Sequence, residues 1–429
     1  MYPTYLIYLP EIPTMPQRRT ILTGGLGAAI TTFTLGRRSQ MALAEENVAP
    51  EYELTRQVPT RLFDGKRCWS HPRAGIVPSA SKAGAPRVVM TMNTLDLAGS
   101  DVFKAMYGLH TDDLGQTWTE PQQQEALAVR HEMFDGQERP VAVSDFWPTW
   151  HAATQTLLGT GHTVVYTPDW KVTHPRPRHV AYAAYDPSQG QWQPWRKMAL
   201  PEGPKFHNAG SGCVQRYDLE DGSILLPIYF TPAGKNSHVT VARCAWDGKT
   251  LQYLEHGQEL AVDDKTRGLH EPSLTRFGGA YFLTLRNDRQ GYVTRSRDGF
   301  EFEPIRPWQF DDGSDLGNYN TQQHWVTHSD GLFLVYTRRG ANNDHVFRHR
   351  APLFMAQVDP ETLRVIRETE QILVPQRGAR LGNFGVTRIS DEETWVTVSE
   401  WMQPKGVEKH GSDGSVFVAR IRWERKNRS

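Results

Sequence analysis

The sequence is poor in several features that define common classes of protein. Its three cysteines, Cys68, Cys213 and Cys244, are odd in number and widely spaced, which excludes a disulfide framework and a zinc-binding cysteine cluster. The 48 Lys and Arg residues balance the 48 Asp and Glu residues, so no net field favours nucleic acid or an anionic membrane. Beyond the N-terminal region no apolar run is long enough to span a membrane, and no segment shows a long helical period.

The N-terminal 44 residues have the pattern of an export signal. Arg18 and Arg19 precede an apolar stretch rich in Gly, Ala and Thr, and a small-residue cleavage motif follows at 42–44. Met15 is an alternative start, because the residues before it do not resemble the basic region of a signal. We therefore expect a twin-arginine-type signal and a mature chain, from about Glu45, that works in the periplasm or outside the cell.

Glycine, proline and tryptophan are plentiful, at 36, 28 and 13 residues, which suits a turn-rich β protein. Short β-rich runs come in pairs, and the first members of the pairs begin at 87, 162, 224, 280, 332 and 394. The period is therefore about 60 residues. A further run precedes each pair, at 74–79, 149–159, 211–218, 271–277, 323–330 and 383–390.

A fourth strand is expected after each pair, so the repeat predicts six four-stranded antiparallel sheets. Six such sheets form a β-propeller, a radial array with short, protected edges. We therefore predict an all-β fold with one six-bladed propeller over residues 45–429, whose last blade is completed by a strand near 52–64. Two separate β domains are the alternative, but no linker or low-complexity stretch interrupts the repeat.

The segment "TDDLGQTW", at 111–118, resembles a small acidic site but falls at the turn between the third and fourth strands of blade one. An Asp in such a turn accepts backbone N–H bonds, and a glycine supplies a positive φ. Related turns occur in later blades, at 185–192, 246–251, 296–302 and 358–363. Because a catalytic acid would not recur at the outer turns, we predict that this segment is structural.

The same segment matches the S/T-x-D-x-G-x-T-W motif known as the Asp-box. Together with six predicted blades, it makes the chain resemble the sialidase (neuraminidase) superfamily over residues 52–425. This resemblance implies a glycoside hydrolase that acts on a terminal acidic sugar and holds the sugar's carboxylate with three arginines. It implies no cofactor and no metal ion, and the expected partner is an acidic glycan.

The order of further motifs extends the resemblance. In "HPRAGIVPS", Arg73 lies at the first strand of blade one, where the superfamily has its first arginine. "HEPSLTRFGGAYFLTLRND" supplies Glu271 and Arg286 in blade four, and "FRHRAPLF" supplies Arg350 before the third strand of blade five, with Arg348 close by. Guanidinium groups suit a carboxylate because their planar fork binds both oxygens. The resemblance thus implies that Arg73, Arg286 and Arg350 hold the substrate carboxylate.

One departure concerns the nucleophile. In sialidases a tyrosine at the first strand of blade six attacks the sugar, but Phe384 stands there in this chain, or Asn383 if the register slips by one. The acid/base residue implied by the resemblance is Asp101. Either Tyr319 replaces the missing tyrosine, or Glu271 attacks directly or activates water, or the reaction is not sialoside hydrolysis.

Several histidines fall at or near the predicted starts of first strands: His151, His207, His270 and His324. Imidazole donates or accepts a proton near neutral pH, so a mouth lined by Arg and His suits an acidic sugar. A metal ion is the alternative ligand of three histidines, but no H-x-H spacing supports it.

Three hypotheses follow from the sequence. The first is an exported sialidase-like hydrolase of a terminal acidic sugar, with catalytic roles for Asp101, Glu271, Tyr319 and His324. The second is a propeller lyase or hydrolase that acts on uronic-acid glycans through His or Tyr. The third is a propeller that binds acidic glycans without cleaving them.

Overall fold

A computed structural model describes residues 50–78, 85–99 and 101–428, and this part of the chain forms a six-bladed β-propeller. The predicted fold is therefore confirmed. The predicted export signal lies outside the described residues. Among the described residues, no helix has the length and the apolar character that a membrane crossing requires.

The first three blades contain the following strands. Blade one contains Arg67–Val77, Arg87–Asp96, Phe103–Thr111 and Gln122–Gln123. Blade two contains Arg130–Phe134, Gln137–His151, Thr156–Val165, Val180–Asp186, Gln191–Trp192 and Arg196–Lys197. Blade three contains Ala209–Gly210, Tyr217–Asp218, Ile224–Phe230, His238–Trp246 and Leu251–His256.

The last three blades complete the circle. Blade four contains His270–Phe277, Ala280–Arg286, Tyr292–Ser296 and Arg306–Pro307. Blade five contains His324–His328, Gly331–Tyr336, Leu353–Asp359, Arg364–Val365 and Gln371–Val374. Blade six contains Phe384–Arg388, Glu393–Ser399, Ser415–Trp423 and the N-terminal strand Tyr52–Arg61. Short 3-10 helices lie at Glu125–Leu127, Phe347–His349, Arg367–Thr369 and Val407–His410.

The N-terminal strand closes the propeller, as the sequence predicts. It pairs antiparallel with the last strand of the chain, and Leu54 lies opposite Ile421. The N-terminal strand is the outermost strand of blade six, at the opposite edge of the sheet from the first strand, Phe384–Arg388. The two ends of the propeller thus belong to one sheet, and this pairing closes the ring.

The core lies between neighbouring blades, where large aromatic side chains fill the space. Trp246 of blade three contacts Tyr182 of blade two, with ring centres 5.9 Å apart, and Trp423 of blade six lies 5.6 Å from Phe333 of blade five. Four tryptophans are almost fully buried: Trp195, Trp308, Trp325 and Trp395. Burial of an aromatic side chain contributes about 2–3 kcal/mol, so these contacts stabilise the packing of blade on blade.

The Asp-box has the structural role predicted from the sequence. Thr111 Oγ1 donates to Asp113 Oδ1 at 2.7 Å and accepts the N–H of Gly115 at 2.8 Å. Asp113 in turn accepts the backbone N–H of Thr117 at 2.9 Å and its hydroxyl at 2.6 Å. These bonds, those from Thr117 first, lower the pKa of Asp113 to about 2. Gly115 has a φ of 85°, which residues with a Cβ rarely adopt.

The related turns of the other blades are built in the same way. The tryptophan that ends the Asp-box, Trp118, has its ring centre 5.9 Å from that of Trp395 in blade six. Aspartates of four later turns also accept backbone N–H groups within their own turns: Asp186, Asp247, Asp298 and Asp359. The acidic motif therefore stabilises the outer turns, and the tryptophan that ends it packs against the neighbouring blade.

Blade two differs from the prediction. Blade two has an added strand, Arg130–Phe134, and the strand that corresponds to the first strand of the other blades is Gln137–His151, followed by Thr156–Val165 as the second and Val180–Asp186 as the third. The expected first strand, 149–159, therefore straddles a hairpin turn. The turn contains no Gly or Pro, and Gln155 takes the left-handed conformation with a φ of 53°. The usual turn signal is therefore missing from the sequence. As a result, the prediction overlooked the inner part of blade two.

Candidate functional site

A cavity of about 780 Å³ opens where the first strands of the six blades converge. Each blade contributes a residue from its inner end. His71, Asp145 and Glu271 lie in first strands, Asn320 and Asn383 lie just before them, and Cys213 lies between the short strands Ala209–Gly210 and Tyr217–Asp218. The cavity is therefore axial, and its size lies in the range of sites that enclose a small-molecule ligand.

The backbone of the cavity wall is strained at equivalent places. His71, Asp145, Cys213 and Glu271 all have a positive φ, between 42° and 58°. In blades one, two and four, these residues lie at β-bulges, where the pairing register of the first strand shifts. Each such non-glycine residue costs about 1–3 kcal/mol, and conformations of this kind are concentrated at functional sites.

The cavity is strongly positive although the chain as a whole is neutral. Eight cationic side chains line it: Arg176, Arg178, Arg267, Arg286, Arg348, Arg350, Arg380 and Lys405. Four carboxylates line it: Asp101, Asp145, Glu271 and Asp288. Eight cations against four carboxylates leave an excess of four positive charges, which favours an anionic ligand.

Arg286 and Glu271 form a largely buried ion pair on the wall of blade four. Arg286 Nη1 donates to Glu271 Oε1, and Arg286 Nη2 donates to Asn320 Oδ1 at 2.8 Å. Although burial acts in the opposite direction, Glu271 raises the pKa of Arg286. Arg286 Nε is buried without a hydrogen-bond partner. Arg286 is therefore charged, and it retains a free donor beside the cavity.

Arg350, by contrast, has no acidic partner among the residues that the structure describes. It is 5% exposed, its Nη2 donates to the backbone oxygen of Asn320, and its Nε has no partner. Burial, followed by the nearby charges of Arg286, Arg380 and Arg348, lowers the pKa of Arg350. A buried guanidinium held among other cations is costly unless an anion compensates it.

Three more arginines of the cavity make no ion pair with a carboxylate of the described residues: Arg178, Arg348 and Arg380. Arg380 Nη2 donates to Gln403 Oε1, and its guanidinium stacks on Trp401 with 4.4 Å to the ring centre. Burial, followed by the charge of Arg348, lowers the pKa of Arg380 to about 10. The wall of blades five and six is therefore cationic and partly aromatic, a surface that suits an acidic sugar.

Asp101 lies in the cavity but is paired. Its Oδ2 accepts from Arg176 Nη2 at 2.9 Å, and its φ is 57°. Burial alone would raise the pKa of Asp101, but the charge and hydrogen bond of Arg176 outweigh burial and lower it. Asp101 is therefore a carboxylate near neutral pH, suited to accept a proton.

A second polar centre surrounds Asp145 in blade two. Asp145 Oδ1 lies 3.3 Å from His71 Nε2 and 3.4 Å from Arg73 Nη1, and it accepts from the thiol of Cys213. Asn383 contacts His71 Nε2 from blade six. Burial, followed by the charge of Arg73, lowers the pKa of His71, so this imidazole is neutral.

Tyr229 and His162 form a hydrogen-bonded pair at the edge of this centre. The Tyr229 hydroxyl lies 2.8 Å from His162 Nδ1, and His162 Nε2 lies 3.7 Å from Asp145 Oδ2. Burial lowers the pKa of His162 to about 3 and raises that of Tyr229. At neutral pH the pair therefore consists of an unprotonated imidazole and a protonated phenol, a base and an acid in contact.

The structure brings six of the residues predicted from the sequence to the cavity: Asp101, His270, Glu271, Arg286, Arg350 and Asn383. Arg73 is fully buried and does not line the cavity; its Nη2 donates to Gln322 Oε1 at 3.0 Å. Its contact with Asp145 means that it supports the wall. Two of the three arginines that the resemblance assigns to the substrate carboxylate, Arg286 and Arg350, line the cavity, whereas Arg73 lies behind the wall and contacts Asp145.

Four other predicted residues lie away from the cavity. The Tyr319 hydroxyl forms a hydrogen bond of 2.6 Å with His349 Nδ1. His324 is buried between the rings of Trp147 and Phe384. His151 lies at the end of the first strand of blade two, and its Nε2 lies 2.9 Å from Gly222 O. The sequence pattern indicates a place near a strand start because it predicts that strand at 149–159. His207 lies in a loop and contacts Pro204 O.

Phe384 lies at the start of blade six, where the resemblance implies a tyrosine. It is fully buried in the hydrophobic core, and its backbone oxygen accepts from Gln322. Asn383, one residue earlier, is the side chain that reaches the cavity. Neither residue offers a nucleophilic oxygen, and Tyr229 is the tyrosine that lines the cavity among the described residues.

Sequence reasoning missed several residues of the cavity: His71, Asp145, His162, Arg176, Arg178, Tyr229 and Arg380. One signal was available for Arg178. The resemblance to sialidases assigns Arg350 as the arginine before the third strand of blade five, and "HPRPRHVAY" places Arg178 in the same position of blade two. Asp145 was not identified because the first strand of blade two was predicted at 149–159 and not at Gln137–His151.

The part of the chain that the structure describes contains no group of three His, Cys, Asp or Glu side chains arranged to hold a metal ion. Arginine dominates the cavity, and guanidinium is not a metal ligand. The donor set therefore suits an organic anion better than a metal ion.

Comparison with solved structures places this architecture among the sialidase-like propellers. A protein of unknown function from Dyadobacter fermentans aligns over 86% of this chain and 99% of its own, with 15% identity and a TM-score of 0.57. The Hadza microbial sialidase Hz136 aligns over 82% of this chain, with 12% identity and a TM-score of 0.55. The sialidase of Trypanosoma rangeli aligns over 86% of this chain, with 13% identity and a TM-score of 0.53.

The match covers 65% of the Hadza enzyme and 59% of the Trypanosoma enzyme, so this chain spans about two thirds or less of their lengths. No protein-family model matches the chain, and no curated protein sequence is significantly similar to it. The similarities therefore show the fold: the chain is a sialidase-like six-bladed propeller.

Proposed function

We propose that the protein is an exported carbohydrate-active enzyme that acts on a terminal acidic sugar. The observation that carries this proposal is Arg350, a buried guanidinium with a free Nε and no acidic partner, next to Arg286 with its own free Nε. A sugar carboxylate between the two side chains would accept from both and neutralise the local charge. The sialidase-like fold supports the same assignment.

In the hydrolytic form of this proposal, Asp101 and Glu271 are the two carboxylates that glycoside hydrolysis needs. Because Arg176 keeps Asp101 ionised, Asp101 acts as the base that accepts a proton from water. Glu271 stabilises the positive charge that develops on the sugar ring. Without a tyrosine at the start of blade six, water attacks the anomeric carbon directly while the glycosidic C–O bond breaks. The proton that Asp101 takes from the water passes to the leaving oxygen, so that the products are the free sugar and the alcohol.

The test is release of free sugar from aryl glycosides of sialic acid and of uronic acids. The wild-type protein is expected to release sugar, and Asp101→Asn to lower kcat by about 10²-fold or more with little change in KM. Asp186→Asn, which changes an aspartate of an outer turn, is the matched control and should keep full activity. Full activity of Asp101→Asn would remove its catalytic role, and binding without turnover would favour a non-catalytic acidic-glycan-binding protein.

A second reaction, elimination from a uronate glycan, is favoured by the Tyr229–His162 pair. His162 takes the proton from the carbon next to the carboxylate, and that electron pair forms a double bond as the neighbouring C–O bond breaks. Tyr229 gives its proton to the leaving oxygen, and His162 then returns a proton to Tyr229 through their hydrogen bond. No water is consumed, and the carboxylate charge that builds up is held by Arg286 and Arg350.

Elimination is recognised by the ultraviolet absorbance of the unsaturated uronate product. Polyuronates incubated with the wild-type protein are expected to develop this absorbance. Tyr229→Phe should abolish it, because phenylalanine keeps the ring but lacks the transferable proton. Absence of this absorbance with every polyuronate tested, together with sugar release from aryl glycosides, would leave hydrolysis as the reaction.

A further inference from the structure

Arg178 and Arg350 occupy equivalent positions in opposite blades. Arg178 precedes the third strand of blade two, Val180–Asp186, and Arg350 precedes the third strand of blade five, Leu353–Asp359. Blades two and five are three blades apart in a ring of six. Both arginines line the axial cavity, so they face it from opposite walls.

The site of Arg178 is built to hold a guanidinium without an acidic partner. Its Nη1 is buried and has no hydrogen-bond partner, and no carboxylate of the described residues forms an ion pair with it. Its guanidinium carbon lies 4.8 Å from the centre of the Tyr229 ring. A Cβ added at Gly210 would lie 2.5 Å from Arg178 Cδ, so this glycine gives the side chain its room.

The charge of the cavity exceeds what one acidic sugar compensates. The lining residues carry an excess of four positive charges, and a sugar with one carboxylate would leave three of them. A carboxylate bound between Arg286 and Arg350 lies against blades four and five, whereas Arg178 belongs to blade two on the other side of the cavity. Arg178 is thus left to bind a second anionic group.

We propose that Arg178 forms a second anion subsite, so that the substrate is an oligosaccharide with two anionic groups on neighbouring sugars. The inference rests on the proposed function, because the first group is the carboxylate at Arg286 and Arg350. The second group is a carboxylate or a sulfate ester, since both present anionic oxygens to a guanidinium fork. The substrate class is thus a polyuronate or a sulfated uronate glycan.

The experiment compares calorimetric affinities for four disaccharides: a neutral one, one with a single uronate, one with two uronates, and one with a uronate and a sulfated sugar. Wild-type protein is expected to bind at least one doubly charged disaccharide about tenfold or more tightly than the singly charged one. Arg178→Met should abolish this gain and leave the affinity for the singly charged disaccharide unchanged within about twofold. The two doubly charged ligands show which anionic group the subsite takes.

Arg276→Met is the matched control, because Arg276 is an exposed arginine 5.7 Å from the centre of the Tyr281 ring, outside the cavity. It should behave as wild type. Arg178→Met should also unfold at no lower a temperature than wild type, since it removes a charge without removing a hydrogen bond.

The possible outcomes separate the two proposals. If wild-type protein binds the singly charged disaccharide but gains nothing from a second charge, or if Arg178→Met keeps the gain, the second subsite is refuted. An equal loss of both affinities in Arg178→Met also refutes it, because Arg178 would then belong to the first site. If no acidic disaccharide binds to wild-type protein, the proposed function itself fails.

Discussion

Replacement of Arg350 by methionine should stabilise the protein while weakening its binding of acidic sugars. Methionine keeps the apolar stem of the side chain and removes a charge that has a single acceptor, Asn320 O. Replacement of Arg286 by methionine should weaken binding as well but destabilise the fold, because Glu271 would then be buried without its partner. Two variants at one cavity are thus expected to shift stability in opposite directions.

The magnitudes follow from the contacts of each arginine. An uncompensated buried charge costs about 3–5 kcal/mol, and a hydrogen bond to a charged group contributes about 1.5–3 kcal/mol. Arg350→Met therefore gains about 1–2 kcal/mol, whereas Arg286→Met loses about 3–5 kcal/mol. With an unfolding entropy of about 2.1 cal/mol/K per residue over about 370 described residues, 1 kcal/mol shifts Tm by about 1.3 °C.

Scanning calorimetry of the two variants and wild type at pH 7 measures the shifts. We expect a rise in Tm of about 1–3 °C for Arg350→Met and a fall of about 4–6 °C for Arg286→Met. Titration with a monosaccharide uronate and with sialic acid should show that neither variant binds as wild type does. A clear fall in Tm for Arg350→Met would refute the conclusion that its charge is uncompensated.

Three further predictions concern other parts of the chain. Thr111→Val removes three hydrogen bonds of the Asp-box and should lower the unfolding free energy by about 1–3 kcal/mol without changing glycan binding, as measured by urea unfolding and calorimetry. Burial lowers the pKa of His162 from 6.5 to about 3 in the folded protein, so the unfolding free energy decreases as the pH falls from 6.5 to 3. Between pH 6 and 4, His162→Gln should reduce the slope of unfolding free energy against pH by about 1.4 kcal/mol per unit, and an unchanged slope would contradict the assignment. Replacement of Arg18 and Arg19 by lysine should retain a tagged full-length protein in the cytoplasm, whereas export at the wild-type level would contradict a twin-arginine signal.

The fold was predictable because its determinants are local and repeat. Turn residues such as Asp113 and Gly115 act within a few positions of themselves, and the β-rich pairs recur at one period. Blade two was misread because its first hairpin turns through Gln155, a residue that rarely takes a positive φ. A turn without Gly or Pro leaves no trace in the sequence pattern.

The site was only partly predictable because it is assembled from all six blades. The resemblance to sialidases assigns Glu271, Arg286 and Arg350 by their positions in the blades, and Arg178 has the position in blade two that Arg350 has in blade five. Whether an arginine is paired depends on which carboxylate the packing brings to it. Arg286 has such a partner and Arg350 does not, although nothing in the two local sequences distinguishes them.

The most direct test of the arginine-lined site is a crystal structure of the protein with an acidic oligosaccharide bound. We expect the carboxylate of one sugar within hydrogen-bond distance of both Arg286 and Arg350, in the cavity where the six first strands converge. A sugar bound elsewhere on the propeller, or one whose carboxylate points away from both guanidinium groups, would contradict the account.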